Sequence, residues 1–484
     1  MKYLIDRRYR LRGWLHAPTG LFDSRRKTAE FLPRNEYVLL MRCDGAHDIN
    51  PNDLGDGERQ QLEKLLESGI VRRARLGEYL APEQEHRTYP AQYKREAHWS
   101  ITGACNLRCR HCFMSAPNAK HGVPSYGQIV SIADQLAECG VFQVGITGGE
   151  PLTRRDFLDI VDVLNEREIG IDCIYTNGWL VDEPFLDELE KRGVRPPFQL
   201  SFDGVGRHDF LRGVPGAEER TLRAIQLLRE REHPVAVSMC LHQRNRHTLR
   251  ETVRLMASLG VRSMKLSAIM ELGEWARPEV AELRLSPEEE LQVYEEYIPQ
   301  YFEDDAPLAI TMSGAFRYSP GEETWNSFSV MDCPGEVEES VPSCGVLTRF
   351  FYIGAEGMVC PCMGMADTAF APNFPNLFET PLAEILGDSD FNRLCHASVA
   401  DVRDGSGKCR ECEFIDRCSG GCRNSALIAG DNYYGVDPDV CWFFEHGGDK
   451  RIERAAKEPF KAYLQRNPPR VGRNAADDGI KDCL

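Results

Sequence analysis

The chain has 484 residues and a formal net charge of −17, with 42% hydrophobic and 27% charged residues. This length exceeds one average domain, so we expect two or three domains, and the acidic balance disfavours non-specific binding to nucleic acid or anionic lipid. The first eight residues contain no apolar signal core and no stretch is apolar for long enough to span a bilayer, which predicts a soluble, cytoplasmic protein. In such a chain, 18 cysteines indicate metal or redox chemistry rather than disulfides.

The first predicted domain covers residues 1–90. Apolar spacing predicts helices at residues 36–41 and 60–66, and we expect residues 71–73 to form a small β wing with residues 79–80. This pattern, with a Cys-Asp-Gly turn at 43–45, resembles the PqqD-like peptide-recognition domains. The resemblance implies a winged-helix fold that binds the leader of a ribosomal peptide as an added strand at a sheet edge. A structural cap and a DNA-binding winged helix are the alternatives.

Strand-like and helix-like segments alternate between about residues 92 and 270. The predicted strands cover residues 97–102, 141–147, 171–176, 198–202, 235–241 and 261–269, and amphipathic helices separate them. Such alternation requires a parallel sheet with right-handed crossovers. The predicted fold class is therefore α/β, with a partial (β/α)6 barrel at residues 91–306. Ligands of such a sheet bind at the C-terminal ends of its strands.

A cysteine loop follows the first of these strands. It carries Cys105, Cys109 and Cys112 with the spacing C-x3-C-x2-C. Three thiolates can hold three irons of a [4Fe–4S] cluster and leave the fourth iron open, whereas a structural cluster is held by four cysteines. A zinc knuckle or three buried thiols are the alternatives. The motif resembles that of the radical S-adenosylmethionine (SAM) enzymes, in which the amino and carboxylate groups of SAM bind the open iron.

Polar residues close the next three strands of the predicted barrel. The second strand is followed by Gly148, Gly149 and Glu150, the third by Asn177, and the fourth by Ser201 and Asp203. In the radical SAM family a Gly-Gly-Glu motif binds the amino group of SAM, and the positions matching Asn177, Ser201 and Asp203 contact its ribose and carboxylate. Turn formation is the alternative role of Asn177 and Asp203. His111 stands where many relatives have an aromatic residue, which leaves the adenine contacts open.

A second set of cysteines occupies a loop-rich region predicted at residues 307–450, ahead of a C-terminal helix and polar tail at 451–484. Seven of them are Cys344, Cys362, Cys409, Cys412, Cys418, Cys422 and Cys441. Their spacing resembles the SPASM domain, a C-terminal extension of radical SAM enzymes that modify peptides. Zinc is the competing ligand for the closely spaced cysteines of this set.

The SPASM resemblance implies two auxiliary [4Fe–4S] clusters. In that interpretation Cys344, Cys362 and Cys422 share the first cluster, and Cys409, Cys412, Cys418 and Cys441 hold the second. Cys333 is the candidate for the missing fourth ligand of the first cluster, and Cys360, two residues before Cys362 on a strand-like stretch, is its less favoured rival. The remaining thiols are expected to be small buried hydrophobic residues; they are Cys43, Cys139, Cys173, Cys240, Cys395 and Cys483.

These resemblances together imply a radical SAM/SPASM enzyme that matures a ribosomal peptide. Its cofactors would be SAM and three [4Fe–4S] clusters, and its partners a ribosomal precursor peptide and an external flavodoxin- or ferredoxin-like electron donor. The expected reaction cleaves SAM reductively, and the 5′-deoxyadenosyl radical then abstracts hydrogen from a peptide carbon. A thioether or carbon–carbon cross-link is favoured over epimerisation, and the general base is not predicted.

Two other functions are weighed against this one. In anaerobic sulfatase-maturing enzymes an aspartate follows the cysteine that matches Cys362, whereas this chain has Met363, which disfavours formylglycine formation. A non-enzymatic iron–sulfur redox sensor, with the N-terminal domain as its DNA-binding output, would carry clusters without turning over SAM.

Overall fold

Three β-sheets organise the part of the chain that the structure describes. The structure is a computed structural model that describes residues 1–267, 270–328 and 340–468. Two of the sheets, with three and four strands, lie in the N-terminal region, and the third has ten strands. None of the helices in the described ranges has the length and apolar character that crossing a bilayer requires.

The N-terminal region contains seven strands and two helices in its described part. They are β1 (Lys2–Ile5), β2 (Tyr9–Leu15), β3 (Ala17–Asp23), β4 (Thr28–Phe31), α1 (Arg34–Met41), β5 (Asp44–Asp48), α2 (Asp56–Glu67), β6 (Val71–Arg73) and β7 (Arg87–Gln92). The first sheet has the order β5-β1-β6, and the second has the order β4-β3-β2-β7. The two predicted helices are confirmed as α1 and α2.

The predicted β wing is wrong in its pairing. Strand β6 pairs with β1, where Ile5 lies opposite Val71, rather than with residues 79–80. The physical reason is that Val71 and Ile5 lie opposite each other and belong to the same buried cluster, whereas the side chain of Tyr79 is exposed. The hairpin strands β2 to β4 were also not expected from the sequence pattern.

The six predicted units of the barrel are confirmed. The strands are β8 (Glu96–Ser100), β9 (Gln143–Thr147), β10 (Gly170–Thr176), β11 (Phe198–Ser201), β12 (Val235–Cys240) and β13 (Ser263–Ser267). The intervening helices are α3 (Tyr126–Glu138), α4 (Phe157–Glu166), α5 (Glu183–Lys191), α6 (His208–Arg212), α7 (Ala217–Glu230) and α8 (Leu249–Ser258). The six strands are parallel and follow chain order, as right-handed crossovers require. Residues 268–269 of the predicted last strand lie outside the described residues.

The strands of the barrel have an apolar face and a polar face. Apolar side chains such as Ile146, Leu200 and Val237 belong to the core that the helices share, and each stabilises the fold by roughly 1.5–3 kcal/mol. The residues that alternate with them point to the opposite face because the side-chain period of a strand is two. On β8 and β13 these inward residues include His98 and Lys265, so the inner face of the barrel is polar.

The large sheet continues past the predicted boundary at residue 306. The next elements are α9 (Pro278–Ala281), α10 (Pro287–Glu303), β14 (Ala309–Met312), β15 (Phe316–Tyr318), α11 (Gly345–Arg349), β16 (Phe350–Ile353) and β17 (Val359–Cys360). Strand β14 extends the sheet parallel to β13, and β16 adds to its other side parallel to β8. Antiparallel β15 and β17 form the two edges. The domain limits themselves stay a prediction.

The remaining C-terminal segment is helical. Its elements are α12 (Leu382–Ile385), α13 (Asp390–Cys395), α14 (Val399–Gly405), α15 (Gly407–Arg410), α16 (Ile415–Cys418), α17 (Arg423–Gly430), α18 (Pro438–Glu445) and α19 (Gly448–Arg466). Helix α19 returns to the barrel and packs along α10, where Arg451 forms ion pairs with Glu288 (2.8 Å) and Glu295 (2.5 Å).

Candidate active site

The cysteine loop after β8 brings its three thiols together. Burial, with a smaller contribution from the neighbouring Cys109 and Cys112 thiols, raises the pKa of Cys105 to about 12. Backbone N–H groups approach two of the sulfurs: that of Leu107 donates to Cys105 Sγ (3.4 Å), and that of Ala116 donates to Cys112 Sγ (3.3 Å). Three clustered thiols with N–H donors suit a bound iron–sulfur cluster, since a metal stabilises their thiolate forms.

Two glycines at the end of β9 allow the cysteine loop to approach it. A Cβ atom at Gly149 would lie 2.3 Å from the carbonyl oxygen of Ala104, and one at Gly148 would lie 2.5 Å from that of Thr102. Instead, Gly149 N–H donates to Thr102 O (2.7 Å), and the N–H of Glu150 donates to Ala104 O (2.8 Å). The two glycines therefore hold the cysteine loop against the sheet, a role that the sequence motif does not reveal.

Glu150 is buried at the meeting point of β9 and β10. Its carboxylate accepts hydrogen bonds from Thr176 Oγ1 (2.7 Å), Asn177 N–H (2.7 Å) and Leu152 N–H (3.2 Å). Burial raises its pKa to about 7, although these three donors oppose the shift. A carboxylate accepts up to about four hydrogen bonds, so one position is left for a cationic donor such as an ammonium group.

The role of the Glu150 charge in SAM binding can be tested with a neutral substitution. Because a hydrogen bond to a charged group contributes about 1.5–3 kcal/mol, we expect Glu150→Gln to weaken SAM binding about 10- to 100-fold. In the unchanged protein, SAM affinity should fall as the pH drops below about 7, since the carboxylate takes up a proton there. Isothermal titration of SAM into the holoprotein between pH 6 and 8.5 measures both effects. Glu166→Gln, an exposed change on α4, is the control, and equal affinities for Glu150→Gln and this control would contradict the assignment.

Asn177 and Ser201 lie at the ends of β10 and β11. The Asn177 side chain donates from Nδ2 to Asn106 Oδ1 (2.8 Å) and accepts from Trp179 N–H (2.9 Å), so it ties β10 to the cysteine loop. The Ser201 hydroxyl makes no hydrogen bond with any residue in the described part of the chain, which leaves it for a ligand. The direct SAM contacts of both residues stay predictions.

Asp203 reaches the cysteine loop through an arginine. Asp203 is fully buried and accepts from Arg212 Nε (2.7 Å) and from the N–H of Cys240 (3.1 Å). Burial alone would raise the pKa of Asp203, but Arg212 and His208 hold it well below its usual range. Arg212 Nη1 in turn donates to Cys109 Sγ (3.7 Å). The structure thus places Asp203 behind the loop, and a direct contact with SAM, which stays a prediction, would require this pair to open.

Arg212 is a site residue that the sequence reasoning missed. Its place as the last residue of the short helix α6, directly before Gly213, is the signal that could have found it. A Cβ atom at Gly213 would lie 2.2 Å from the carbonyl oxygen of Arg108, so this turn also brings the loop backbone close. Because Arg212 sits in contact with Asp203 and Cys109, it places a permanent positive charge behind the predicted cluster.

His111 lies beside this charge network and packs on an aromatic ring. Its ring meets Trp275 edge to face at 5.8 Å, and burial lowers its pKa to about 3, with the charge of Arg212 contributing further. Ligand atoms of His111, Asp203 and Cys240 lie within 4.8 Å of one another. The guanidinium of Arg212 already neutralises Asp203 there, so this trio does not suit a separate metal ion.

The four cysteines assigned to the second auxiliary cluster line one cavity. Its walls are formed by these thiols and by apolar side chains that include Phe414, Ile415, Val440 and Phe444; the thiols belong to Cys409, Cys412, Cys418 and Cys441. Lys408 forms an ion pair with Glu445 (2.8 Å), and its hydrogen bonds with Glu445 and Cys441 raise its pKa. A thiol-lined apolar cavity with a cation beside it fits an iron–sulfur cluster.

The cysteines assigned to the first auxiliary cluster also approach one another. Burial raises the pKa of Cys362 to about 12, and the Cys422 and Cys344 thiols raise it further. Cys333 lies outside the described residues. Cys360 is fully buried on β17. Burial raises the pKa of its thiol, and the nearby Cys362 and Cys395 thiols raise that pKa further. The choice of fourth ligand therefore stays open.

The cysteines without an assigned role differ in burial. Four of them are buried, as predicted: Cys43, Cys139, Cys173 and Cys395. Cys240 is half-buried beside Asp203, whose carboxylate accepts its N–H. Cys483 lies outside the described residues.

Comparisons with known proteins agree with this geometry. Residues 99–256 match the family model of the Radical SAM superfamily, and residues 344–413 match that of SPASM, an iron-sulfur cluster-binding domain. An AdoMet-dependent heme synthase of Methanosarcina barkeri is 26% identical over 70% of this chain and 94% of its own length. A PqqA peptide cyclase of Gluconobacter oxydans is 27% identical over 74% of this chain and 92% of its own length.

A solved structure extends the likeness to most of the fold. Streptococcus suis SuiB gives a TM-score of 0.60 at 17% identity and covers 90% of this chain and 99% of its own. SuiB has also been solved with S-adenosylmethionine, at a TM-score of 0.60, and with its precursor peptide SuiA, at a TM-score of 0.58. These matches do not confirm the PqqD-like character of residues 1–90, which stays a prediction.

Proposed function

We propose that this chain, which carries a radical SAM domain followed by a SPASM iron–sulfur domain, is an enzyme that cross-links a ribosomal precursor peptide by radical chemistry. One observation carries the proposal: three thiols converge after β8, and two further thiol clusters lie in the same fold. A thioether or carbon–carbon bond is the proposed product. Cytoplasmic location and a flavodoxin- or ferredoxin-like electron donor belong to the same proposal.

The residues around the cysteine loop have distinct tasks in this proposal. Cys105, Cys109 and Cys112 would hold a [4Fe–4S] cluster, which with SAM would supply the 5′-deoxyadenosyl radical chemistry that removes hydrogen from a substrate carbon. Glu150 accepts the ammonium of SAM in its remaining hydrogen-bond position. Arg212, held by Asp203, fixes the Cys109 thiolate by charge.

The sheet topology supports an oxidative outcome. Strand β16, which begins just after Cys344 and α11, pairs directly with β8, which leads into the cysteine loop. The thiols of Cys344, Cys362 and Cys422 would therefore hold an electron acceptor on the same sheet as the SAM site. A substrate radical on the inner face would lie between the two sites, as the loss of an electron during cross-linking requires.

The N-terminal region supports peptide binding. Strand β4 is an edge of its sheet, and large apolar side chains are exposed near it, namely Phe31 on β4 and Val38 and Met41 on α1. Strand β7 belongs to the same sheet and is separated from β8 by only a short turn. A leader strand bound at this sheet would be held close to the entrance of the barrel.

We expect the double substitution Val38→Glu and Met41→Glu to weaken binding of a candidate precursor peptide by about 10-fold or more, because two exposed apolar contacts are lost. Fluorescence polarisation of the labelled peptide measures the dissociation constant. Leu76→Glu, at another exposed apolar residue of this region, is the control. Deleting residues 1–87 is a poorer test, since Trp14 and Phe22 pack with Phe142 of the barrel. Unchanged affinity in the double variant would leave the region as a structural cap.

The experiment that tests the proposed function follows the radical and the peptide together. Reduced, reconstituted protein should convert SAM to 5′-deoxyadenosine, and co-expressed precursor peptide should lose the mass of two hydrogen atoms per cross-link. Clusters without SAM turnover would instead support the redox sensor, and a formylglycine residue would support the sulfatase-maturing alternative.

The heme synthase relatives offer a second candidate substrate class. By sequence, the match to the Methanosarcina barkeri heme synthase covers 70% of this chain and that to the PqqA peptide cyclase 74%. A cross-linked peptide in the reaction above would decide for the peptide.

A further inference from the structure

Three titratable side chains meet on the inner face of β8 and β10, below the cysteine loop. His98 Nε2 lies 3.1 Å from Glu96 Oε1 and 3.5 Å from the hydroxyl of Tyr175. The ring of His98 also lies between two aromatic rings, with its centroid 5.4 Å from Tyr175 and 5.6 Å from Phe350. None of these residues belongs to the motifs that were assigned to SAM or to the clusters.

Glu96 is an unusual carboxylate. Its side chain is only 1% exposed, and neither carboxylate oxygen has a hydrogen-bond partner in the described part of the chain. The contact with His98 is therefore one of charge and distance, without hydrogen-bond geometry. Because an unsatisfied buried carboxylate costs stability, its presence calls for a functional explanation.

The backbone of β9 makes room for this cluster. A Cβ atom at Gly145 would lie 2.9 Å from Glu96 Oε1, 3.0 Å from Tyr175 Cε2 and 3.1 Å from His98 Cδ2. Gly145 lies directly opposite His98 in the parallel pairing of β8 and β9. A glycine at this position thus allows the three side chains to converge from β8 and β10, the strands on either side of β9.

The imidazole is both accessible and oriented. The His98 side chain is 31% exposed, so it faces open space inside the barrel. Its Nε2 is engaged by Glu96 and Tyr175, while its Nδ1 makes no hydrogen bond with any described residue. The neutral tautomer that carries its proton on Nε2 can accept a second proton at Nδ1, and the Glu96 carboxylate, 3.1 Å from Nε2, then lies beside the imidazolium as its counter-charge.

The position of β8 places this imidazole between the two chemical regions. On one side β8 pairs with β9, which ends at the Gly148–Glu150 motif, and on the other side it pairs with β16 of the SPASM region. His98 lies opposite Gly145 on β9 and opposite Tyr352 on β16. A peptide that spans both regions would pass over His98.

Thioether formation needs a proton acceptor at such a place. Joining a thiol to an aliphatic carbon breaks one S–H and one C–H bond and forms one C–S bond, so the peptide loses two protons and two electrons. One proton and one electron leave together as the hydrogen atom that 5′-deoxyadenosyl radical takes. The second electron passes to an iron–sulfur acceptor, and the second proton requires a base.

We propose that His98 is the base that accepts this proton at Nδ1, and that Glu96 is a positioning residue that holds the imidazole. The proposal rests on the proposed function. Removing a general base costs about 10²- to 10⁴-fold in the step that needs it. It leaves hydrogen abstraction intact, because that step involves no proton acceptor.

The test compares two products in the same sample. Holoenzyme variants His98→Gln and Glu96→Gln are co-expressed with a cysteine-containing candidate precursor peptide that the unchanged enzyme cross-links, and 5′-deoxyadenosine and cross-linked peptide are quantified. His98→Gln should lower the cross-link yield at least about 100-fold, while 5′-deoxyadenosine stays within about twofold of the unchanged enzyme. His16→Gln is the matched control, because His16 forms a 2.8 Å pair with Asp388 on the surface, outside the barrel.

Two further measurements separate catalysis from structure. Glu96→Gln removes the charge beside the imidazole but keeps the side-chain volume, so it should lower the cross-link yield while 5′-deoxyadenosine formation stays within about twofold of the unchanged enzyme. Tyr175 on β10 remains the other titratable contact of His98, while β9 presents Gly145 and β16 presents Phe350. Bound precursor peptide should also slow carbethoxylation of His98 by diethylpyrocarbonate, measured by mass spectrometry without turnover.

The outcomes distinguish this proposal from the proposed function. If the unchanged enzyme cleaves SAM but leaves the peptide unmodified, the proposed function fails and the role of His98 fails with it. If the unchanged enzyme cross-links the peptide and His98→Gln does so equally well, only the role of His98 is overturned. Loss of 5′-deoxyadenosine together with product in His98→Gln would mean a damaged barrel and would also overturn it.

Discussion

Replacing Cys109 by alanine is expected to abolish the conversion of SAM to 5′-deoxyadenosine. The variant leaves only Cys105 and Cys112 near the predicted open iron, and two thiolates do not hold the cluster. It also removes the sulfur that Arg212 contacts at 3.7 Å, so a buried guanidinium loses one of its partners. A change in a residue that only contacts a metal ligand lowers metal affinity or activity about 10- to 100-fold. Loss of a ligand itself should therefore lower the rate of 5′-deoxyadenosine formation by more than about 100-fold.

The control for this prediction is another buried cysteine of the barrel region. Cys139→Ala removes a buried thiol at the end of α3, outside the three cysteine clusters, and should keep SAM cleavage. The Cys109→Ala protein should retain the iron of the two auxiliary clusters, which iron analysis and electron paramagnetic resonance can follow. Normal 5′-deoxyadenosine formation in Cys109→Ala would refute the assignment of the open iron.

Replacing Cys412 by alanine is expected to separate SAM cleavage from peptide modification. Cys412 lines the thiol cavity of the SPASM region, which lies in a helical segment far along the chain from the cysteine loop. The variant should still form 5′-deoxyadenosine, but without modifying the peptide, because the three thiols after β8 are unchanged. Cross-linked peptide should fall by more than about 100-fold, since an electron taken up at the first auxiliary site would lose its onward acceptor at the second.

The neighbouring residue provides a matched control. Glu411 is an exposed residue in the same short segment between Cys409 and Cys412, so Glu411→Gln should preserve the cross-link yield. Product and 5′-deoxyadenosine are measured in the same reaction by mass spectrometry. Full product yield from Cys412→Ala would count against an auxiliary cluster at this cavity.

Much of the barrel could be predicted from the sequence because its signals are local. Apolar residues such as Ile146 and Leu200 alternate along short strands, and the intervening helices carry apolar residues at helical spacing. The predicted strand limits differ from β8 to β13 by a few residues, as expected when end residues such as Ile101 and Thr102 have left the sheet. The N-terminal pairing could not be predicted, since several short strands of similar pattern offer alternative partners for β6.

The grouping of the cysteines was also predictable, because their close spacing along the chain indicates a shared site. The roles of other site residues were not, since a motif names a residue and says nothing about its contacts. Gly149 is an example. The motif suggests a ligand contact, whereas the structure shows that the absence of a side chain at Gly149 leaves room for the carbonyl oxygen of Ala104. Asp203 is another, because its carboxylate is occupied by Arg212.

The sequence by itself determined the open-barrel fold, the cysteine loop and the second cysteine set, since each depends on residues that are close together along the chain. Only the tertiary structure decided which side chains from distant parts of the chain meet. Arg212 contacts a sulfur 103 residues away, Tyr175 contacts an imidazole 77 residues away, and the SPASM strand β16 pairs with β8 over more than two hundred residues. The physical reason is that a strand presents every second side chain to one face, whereas packing of the whole chain decides which strands become neighbours.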